Sequence, residues 1–133
     1  MSNDDTASID ALGTDTFFGD WVDINYTKYL PLSEATYYVL AALHEPLHGY
    51  ALMQKVETMS EGNVVIGPGT LYGAFAALEK QGLIAKVSEV ERRKIYGLTE
   101  LGRLVLAEQV RRLAIMVRNG QFAISHLNEG EAA

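Results

Sequence analysis

The spacing of apolar and polar positions changes after residue 82 and again after residue 98, which predicts helices, then a hairpin, then a long helix. The first helix is predicted to start at Ser33, which can cap it, with Glu34 suited to the positive helix end. The run 37–43 is apolar on nearly all sides, and Pro46 ends it. Such a helix is buried by several neighbours, which in so short a chain indicates a subunit interface.

Two further helices are predicted between residue 48 and Gly82. One begins at His48-Gly49-Tyr50 and runs to about Met59. The other begins at Pro68, a residue well suited to the first turn of a helix, and Gly82 ends it. Its apolar residues recur at i, i+4 and i+7 and should face a core: Leu71, Phe75 and Leu78.

The residues after Gly82 have the pattern of a β-hairpin. Strands are predicted at 83–90 and 94–98, with Glu91-Arg92-Arg93 at the tip between them. The run Arg92-Arg93-Lys94 is the densest positive cluster of the chain. A short charge run is usually a solvated turn, but its place between two strands favours a role in binding phosphate.

A long final helix is predicted from Thr99, which can cap it, to about residue 127. It would be roughly 40 Å long, too long for the three preceding helices to cover. Part of its apolar seam therefore needs another partner. The seam follows the spacing of a coiled coil, alternately four and three: Leu106, Val110, Leu113, Val117, Gly120, Ile124 and Leu127.

Three helices, a two-stranded wing and a long helix make a winged helix-turn-helix, so the fold class is α+β and mainly α. In such folds the third helix enters the major groove of DNA and the wing contacts the adjacent backbone. Free backbone N–H groups, glycines that allow close approach, hydroxyl groups and wing cations all suit this role. The predicted DNA-binding residues are Pro68, Gly69, Thr70, Tyr72, Gly73, Arg92, Arg93 and Lys94.

The acidity of the chain lies at its two ends. The net charge is −6, yet residues 31–120 hold ten Lys or Arg and nine Glu, whereas residues 1–30 hold six Asp and one Lys. The predicted organisation is a partly flexible acidic N-terminal extension, a winged-helix DNA-binding domain, a dimerisation helix and a flexible tail, over residues 1–30, 31–98, 99–127 and 128–133.

Three aromatic residues lie within the acidic extension: Phe17, Phe18 and Trp21. The extension is interpreted as a solvated tail, as a strap docked on the dimer, or as a motif that recruits another protein. Docking is favoured slightly, because large aromatic side chains rarely occur in a purely solvated tail.

The sequence excludes several kinds of catalytic and metal site. No cysteine is present, so disulfides, thiolate metal sites and cysteine nucleophiles are excluded. The segment 44–48 matches the H-E-x-x-H pattern of zinc hydrolases, but Pro46 prevents the unbroken helix which that site needs. Neither a nucleophile elbow nor a phosphate loop appears. We therefore predict no enzymatic activity, no metal and no cofactor.

Membrane association is not predicted either. No apolar run approaches the roughly 18 to 20 residues of a membrane span. The N-terminus also lacks the basic and apolar regions of a secretory signal. Cytoplasmic residence fits these observations.

Several motifs, in order, resemble the signature of the PadR family of transcriptional regulators, over about residues 32–120. The matching segments are His48-Gly49-Tyr50, Pro68-Gly69-Thr70-Leu71-Tyr72, 78–84 and 92–102. The resemblance implies cytoplasmic homodimers that mostly repress transcription, released in several members by small aromatic or drug-like effectors. A single C-terminal helix resembles the short subgroup, and the resemblance implies that this helix clasps the partner subunit. Applied to this chain, the resemblance implies a dimer interface formed by Tyr37, Leu40, Leu106, Val110, Leu113 and Val117.

The chain also departs from the family pattern. Gly67 stands where members often have Ser, and 74–77 is Ala-Phe-Ala-Ala where members often have Arg or Lys. Base contacts by long side chains are therefore limited, and affinity should depend more on the wing. Tyr37, Tyr38 and Tyr50 are predicted in the core or interface, with an aromatic effector pocket as the alternative.

These inferences favour a sequence-specific DNA-binding regulator, a repressor that binds a palindromic operator as a homodimer. Its partners would be double-stranded DNA, a second copy of the chain and a small aromatic effector. The alternative is a winged-helix protein-interaction module with little DNA binding, which recruits a partner through its acidic aromatic N-terminal segment. Steep salt dependence and sensitivity to loss of Arg92 and Arg93 would distinguish the first from the second.

Overall fold

A computed structural model of the chain describes residues 28–132. The described elements occur in the predicted order, so the predicted fold class is confirmed. The predictions about Phe17, Phe18 and Trp21 fall outside the described residues. The elements are α1 (Glu34–Ala42), β1 (Leu47–His48), α2 (Gly49–Met59), α3 (Pro68–Lys80), β2 (Ile84–Val90), β3 (Arg93–Leu98) and α4 (Glu100–Ala132).

The first helix begins where the sequence predicts. The Ser33 hydroxyl accepts a hydrogen bond from the backbone N–H of Thr36 at 3.1 Å, which confirms the predicted N-cap. The helix α1 buries Val39, Leu40 and Ala42 in the core of the protomer. None of the helices within residues 28–132 is long and apolar enough to cross a membrane.

A third strand, β1, joins the predicted hairpin. The three strands form an antiparallel sheet in the order β1-β3-β2, with Leu47 opposite Tyr96 and His48 opposite Ile95. Two residues cannot show the alternation that marks a strand, so the sequence did not predict β1. This strand ties the start of α2 to the wing.

The wing is a tight two-residue hairpin. Val90 pairs with Arg93, and the two central residues, Glu91 and Arg92, both have positive φ angles, 51° and 69°. Two positive φ angles match the right-handed twist of the flanking strands. The strand β3 begins at Arg93, one residue earlier than predicted, so the Arg93 side chain belongs to the sheet rather than to the turn.

The base of the wing is fixed to α4 through Thr99 and Gly102. The Thr99 hydroxyl donates to the carbonyl of Gly82 at 2.6 Å and accepts from the N–H of Gly102 at 3.0 Å, which confirms Thr99 as the predicted cap. Gly102 lies directly against the backbone of Leu83. Val105, one turn further along, is fully buried. The wing and the long helix therefore share one core.

The core is formed by α1, α2, α3, the base of the wing and the first turns of α4. Its largest completely buried side chains are Leu40, Leu43, Leu52, Leu71, Leu83, Ile84, Val39, Val56 and Val105. The predicted inward face of the third helix is confirmed, since Leu71, Phe75 and Leu78 are all buried.

The helix α4 is longer than predicted. It has 33 residues and continues to Ala132, so residues 128–132, predicted as a tail, are helical. Every residue from Met116 to Gly130 is exposed in the protomer. The second half of α4 therefore projects beyond the domain that its first half helps to build.

Candidate nucleic-acid interface

The first turns of α3 present an uncovered surface. Gly67 precedes the helix and makes no side-chain cap, so first-turn N–H groups are left for another acceptor. We call the exposed residues here the recognition face: Pro68, Gly69, Thr70, Tyr72 and Gly73. A Cβ added at Gly69 or Gly73 would meet nothing within 4 Å. A flat surface can thus bring the helix backbone close to a ligand.

Small side chains continue along the exposed side of α3. Ala76 and Ala77 are exposed, and Lys80, in the last turn, is the basic residue of this helix. Long side chains that could reach base edges are therefore few on α3. Thr70 and Tyr72 supply the hydroxyl groups.

The cations of the wing lie across a groove from Tyr72 of the recognition face. We call Arg92, Arg93 and Lys94 the basic wing; all three are exposed. A groove of about 440 Å³ separates the basic wing from Tyr72. We call it the wing groove, and its lining is His48, Gly49, Tyr50, Tyr72, Phe75, Arg92, Arg93, Lys94 and Tyr96. The structure thus brings Tyr72 and the three predicted cations to one site.

Aromatic rings form the floor of the wing groove. The ring centroids of Phe75 and Tyr96 lie 4.6 Å apart, and those of Phe75 and Tyr72 lie 6.4 Å apart. Burial, followed by the nearby charge of Glu79, raises the pKa of Tyr96, which keeps its hydroxyl protonated. The floor is therefore uncharged, and the charge of the groove comes from the basic wing.

Gly49 lies directly against Tyr72, a contact that was not predicted from the sequence. A Cβ on Gly49 would lie 2.9 Å from the Tyr72 hydroxyl oxygen and 3.1 Å from a methyl carbon of Leu71. The N-terminus of α2 therefore touches α3 where Tyr72 turns into the groove. The His48-Gly49-Tyr50 motif was the available signal in the sequence, but by itself it predicts only a helix start.

His48 links the wing groove to the start of α2. Its Nδ1 atom lies 3.4 Å from the N–H nitrogen of Ala51, and its Nε2 atom lies 3.5 Å from Nη1 of Arg93. Both neighbours are donors, and a neutral imidazole has one acceptor nitrogen. His48 can therefore accept from the helix start or from Arg93, but not from both at once.

The H-E-x-x-H pattern does not lie on a helix. His44 follows the end of α1, and His48 lies in β1. Lys55 Nζ lies 2.8 Å from His44 Nε2 and 3.4 Å from a carboxylate oxygen of Glu45. The broken geometry predicted from Pro46 is confirmed, and these residues hold α2 against the preceding turn.

The residues predicted for a dimer interface differ in exposure. Val110 and Val117 are 47% and 56% exposed, while Tyr37, Leu106 and Leu113 are partly buried. Leu40 is completely buried in the protomer and has no surface left for a partner. The prediction of Leu40 as an interface residue is therefore wrong.

A second groove, of about 560 Å³, lies between α1, the wing and α4. We call it the seam groove, and its apolar lining includes Leu43, Pro46, Val87, Leu98, Leu106 and Val110. Tyr50 lines the wing groove, whereas Tyr37 and Tyr38 pair on α1 with ring centroids 5.4 Å apart. The three tyrosines thus do not form the single effector pocket considered from the sequence.

Comparison with known sequences identifies one family. The family model described as the Transcriptional regulator PadR-like family matches residues 39–108. An uncharacterised 37.1 kDa protein of a Streptomyces fradiae transposon is 39% identical over 83 residues, which are 62% of this chain and 24% of that protein. The transcriptional regulator YqjI of Escherichia coli is 36% identical over 61 residues, 46% of this chain and 30% of that protein. The chain thus spans less than a third of the length of each of these two curated relatives.

Solved structures share the fold over most of the chain. A PadR family transcriptional regulator from Eggerthella lenta has 29% identity and a TM-score of 0.54, with 80% of this chain and 91% of that chain covered. The protein smu.1704 from Streptococcus mutans has 25% identity and a TM-score of 0.60, with 73% and 93% covered. A PadR family regulator from Clostridium difficile has 20% identity and a TM-score of 0.59, and covers 68% and 99%. The last similarity indicates the fold alone.

Proposed function

Because the chain belongs to the PadR-like family of transcriptional regulators, we propose that it binds a palindromic operator as a homodimer and represses transcription. The observation that carries this proposal is the wing groove, where Tyr72 of the recognition face and three wing cations line one cleft. A helix in the major groove with a basic wing on the flanking phosphates fits that arrangement.

Phosphate contacts supply most of the affinity in this proposal. The basic wing provides three cations per subunit, whereas α3 offers Thr70 and Tyr72 and a flat surface of small residues. Six neutralised phosphates per dimer correspond to a slope of about −5 for the logarithm of affinity against the logarithm of salt concentration. Base discrimination then depends on close approach of α3 and on the shape of the DNA.

Dimerisation would occur along α4. Its second half projects beyond the domain and exposes the apolar side chains Val117, Ile124 and Leu127, which follow the predicted seam. Two such helices would bury each other's seams by the packing of a coiled coil. A twofold dimer presents two equivalent α3 helices, which is the reason for expecting a palindromic operator.

A small aromatic effector would enter the seam groove in this proposal. That groove is lined mainly by apolar side chains and lies where α1, the wing and α4 meet. A ligand wedged there would change the angle between the wing and the long helix. Such a change would move the two wings relative to each other and release the operator.

The test of the proposed function is selection of genomic DNA fragments by the purified full-length protein, followed by a salt titration on the best fragment. A recovered palindrome whose affinity falls steeply with salt is the expected result. Arg111→Ala with Arg118→Ala, which removes two charges from α4, serves as the matched control for Arg92→Ala with Arg93→Ala. Weak retention of all fragments alike, unchanged by salt and by the wing variant, would favour the protein-interaction module instead.

A further inference from the structure

The basic wing has no acidic partner within the described part of the chain. The salt bridges formed among residues 28–130 use the cations Lys55, Lys86, Arg103, Arg111 and Arg112. Two tyrosines of the wing groove are also open to solvent, since Tyr50 is 62% exposed and Tyr72 is 58% exposed. The groove therefore combines uncompensated positive charge with accessible aromatic rings.

The first 27 residues of the same chain have the complementary chemistry. They contain six Asp and neither Lys nor Arg. Three of these acids, Asp15, Asp20 and Asp23, alternate with Phe17, Phe18 and Trp21. An acidic segment with interspersed aromatic rings suits a groove that offers cations and tyrosines, because both charge and ring stacking are matched.

The chain enters the described structure beside α3. Tyr29, Pro31 and Leu32 line a crevice together with Ala74, Ala77 and Gln81 of that helix. The N–H of Leu32 donates to Oε1 of Gln109 at 2.6 Å, which fixes the entry point to α4. The N-terminal segment is therefore tethered next to the helix whose other end lines the wing groove.

The distance from this tether to the wing groove is within reach. The helix α3 has 13 residues and is about 20 Å long. Trp21 is seven positions before Lys28, and an extended segment of seven residue steps spans about 23 Å. Trp21 can therefore lie at the N-terminal end of α3, with Asp20 and Asp23 on either side of it.

We propose that residues 15–23 occupy the wing groove, with Asp15, Asp20 and Asp23 on the basic wing and Trp21 against the exposed tyrosines. This inference rests on the proposed function, because it makes the segment a competitor of DNA for the same surface. Random DNA offers phosphates alone and must displace the segment, so its binding is weakened. An operator, which adds contacts to the recognition face, displaces it more readily.

Trp21 is the single tryptophan of the chain, so its fluorescence reports the segment directly. In the full-length protein at low salt, we expect Trp21 emission to be blue-shifted and protected from acrylamide. High salt, or Arg92→Ala with Arg93→Ala, should release it, whereas Arg111→Ala with Arg118→Ala should not. Emission like that of tryptophan in water, or protection that survives loss of both wing arginines, would refute the proposal.

A second measurement uses DNA. Converting Asp15, Asp20 and Asp23 to Asn in the full-length chain should raise affinity for random-sequence duplex about tenfold, as three exposed ion pairs are lost to the competitor. The matched control converts Asp4, Asp5 and Asp10 to Asn and removes the same charge farther from the tether. Equal effects of the two triple variants would contradict a docked segment. The protein could bind no DNA while the wing variant still releases Trp21. That outcome would refute the proposed function and leave the docking intact.

Discussion

Gly102 of α4 packs directly on the backbone carbonyl of Leu83, at the base of the wing. A methyl group at residue 102 would overlap that carbonyl oxygen, and backbone atoms cannot rotate away as a flexible side chain can. The wing can therefore pack this closely on α4 only because residue 102 has no side chain.

Gly102→Ala should lower the free energy of unfolding by about 2–3 kcal/mol, because α4 must move away from the wing. The measurement is urea unfolding followed by circular dichroism. Gly73→Ala is the matched control, since a Cβ at residue 73 meets nothing within 4 Å. It should gain about 1 kcal/mol from helix propensity. Equal stability of the two variants would show that the close packing at Gly102 is unimportant.

Gly49→Ala should displace Tyr72 and weaken operator binding. Its loss of unfolding free energy should be smaller than that of Gly102→Ala. The added Cβ would lie 2.9 Å from the Tyr72 hydroxyl oxygen, so the ring must shift in the wing groove. Removing that oxygen by Tyr72→Phe should relieve the contact. A double-mutant cycle on unfolding free energy is therefore expected to show coupling of about 1 kcal/mol. Strictly additive changes would argue against this contact.

Arg92→Ala with Arg93→Ala should reduce the salt dependence of DNA binding as well as its strength. Loss of two phosphate contacts from each subunit of a dimer changes the slope against salt by about 3.6, from −5 towards zero. The measurement is a titration of operator DNA at several salt concentrations. An unchanged slope would place the phosphate contacts elsewhere on the protein.

Val117→Glu should abolish the proposed dimer without unfolding the domain. Val117 is 56% exposed in the protomer and lies on the seam, so a charge there is harmless until a second helix packs on it. Phe122→Glu is the control, because residue 122 is 65% exposed and lies about 140° away around the helix. Analytical ultracentrifugation should find a monomer for the first variant and a dimer for the second. The reverse result would place the interface on the opposite side of α4.

The stability of the protein should depend on Glu108 at acid pH. The hydrogen bond from Arg111 lowers the pKa of Glu108 below 4.5; burial opposes this shift, and the charges of Arg111 and Arg112 add to it. Since the folded pKa is depressed, this contribution is present above the unfolded pKa and disappears as pH falls through the folded value. The difference in unfolding free energy between the protein and Glu108→Gln, measured by urea unfolding, should therefore be largest near neutral pH. It should shrink as the pH falls from the unfolded pKa through the lower, folded pKa. A constant difference across that range would contradict the shift.

Much of this fold follows from local patterns in the sequence. Ser33, Pro68 and Thr99 mark helix starts by capping chemistry, and the buried face of α3 follows from helical spacing. The strand β1 escapes prediction because two residues carry no period, and its existence depends on pairing with β3. The end of α4 was not predicted either, because the largely polar residues 128–132 suit a solvated tail as well as a helix.

The charged residues of the candidate site were predicted from the sequence, but the contacts that bring them together were not. The basic wing follows from three adjacent cations at a hairpin tip. The contact of Gly49 with Tyr72 joins two helices that are separated by eight residues outside any helix, so no local pattern predicts it. His48 has two possible donors only because β1 brings it beside Arg93. Tertiary contacts thus determine how the predicted groups meet.

The continuous α4 would fix the spacing and relative orientation of the two half-sites of the proposed operator. Gly102 packs the first turns of α4 against the wing, and the projecting half of the same helix carries the seam. In the proposed dimer, one continuous helix would therefore connect each wing to the twofold axis. One residue inserted between these two halves would rotate the wing by about 100° around the axis of α4 relative to the seam. In the proposed dimer, the spacing of the two operator half-sites would therefore depend on the number of α4 residues between the wing and the seam.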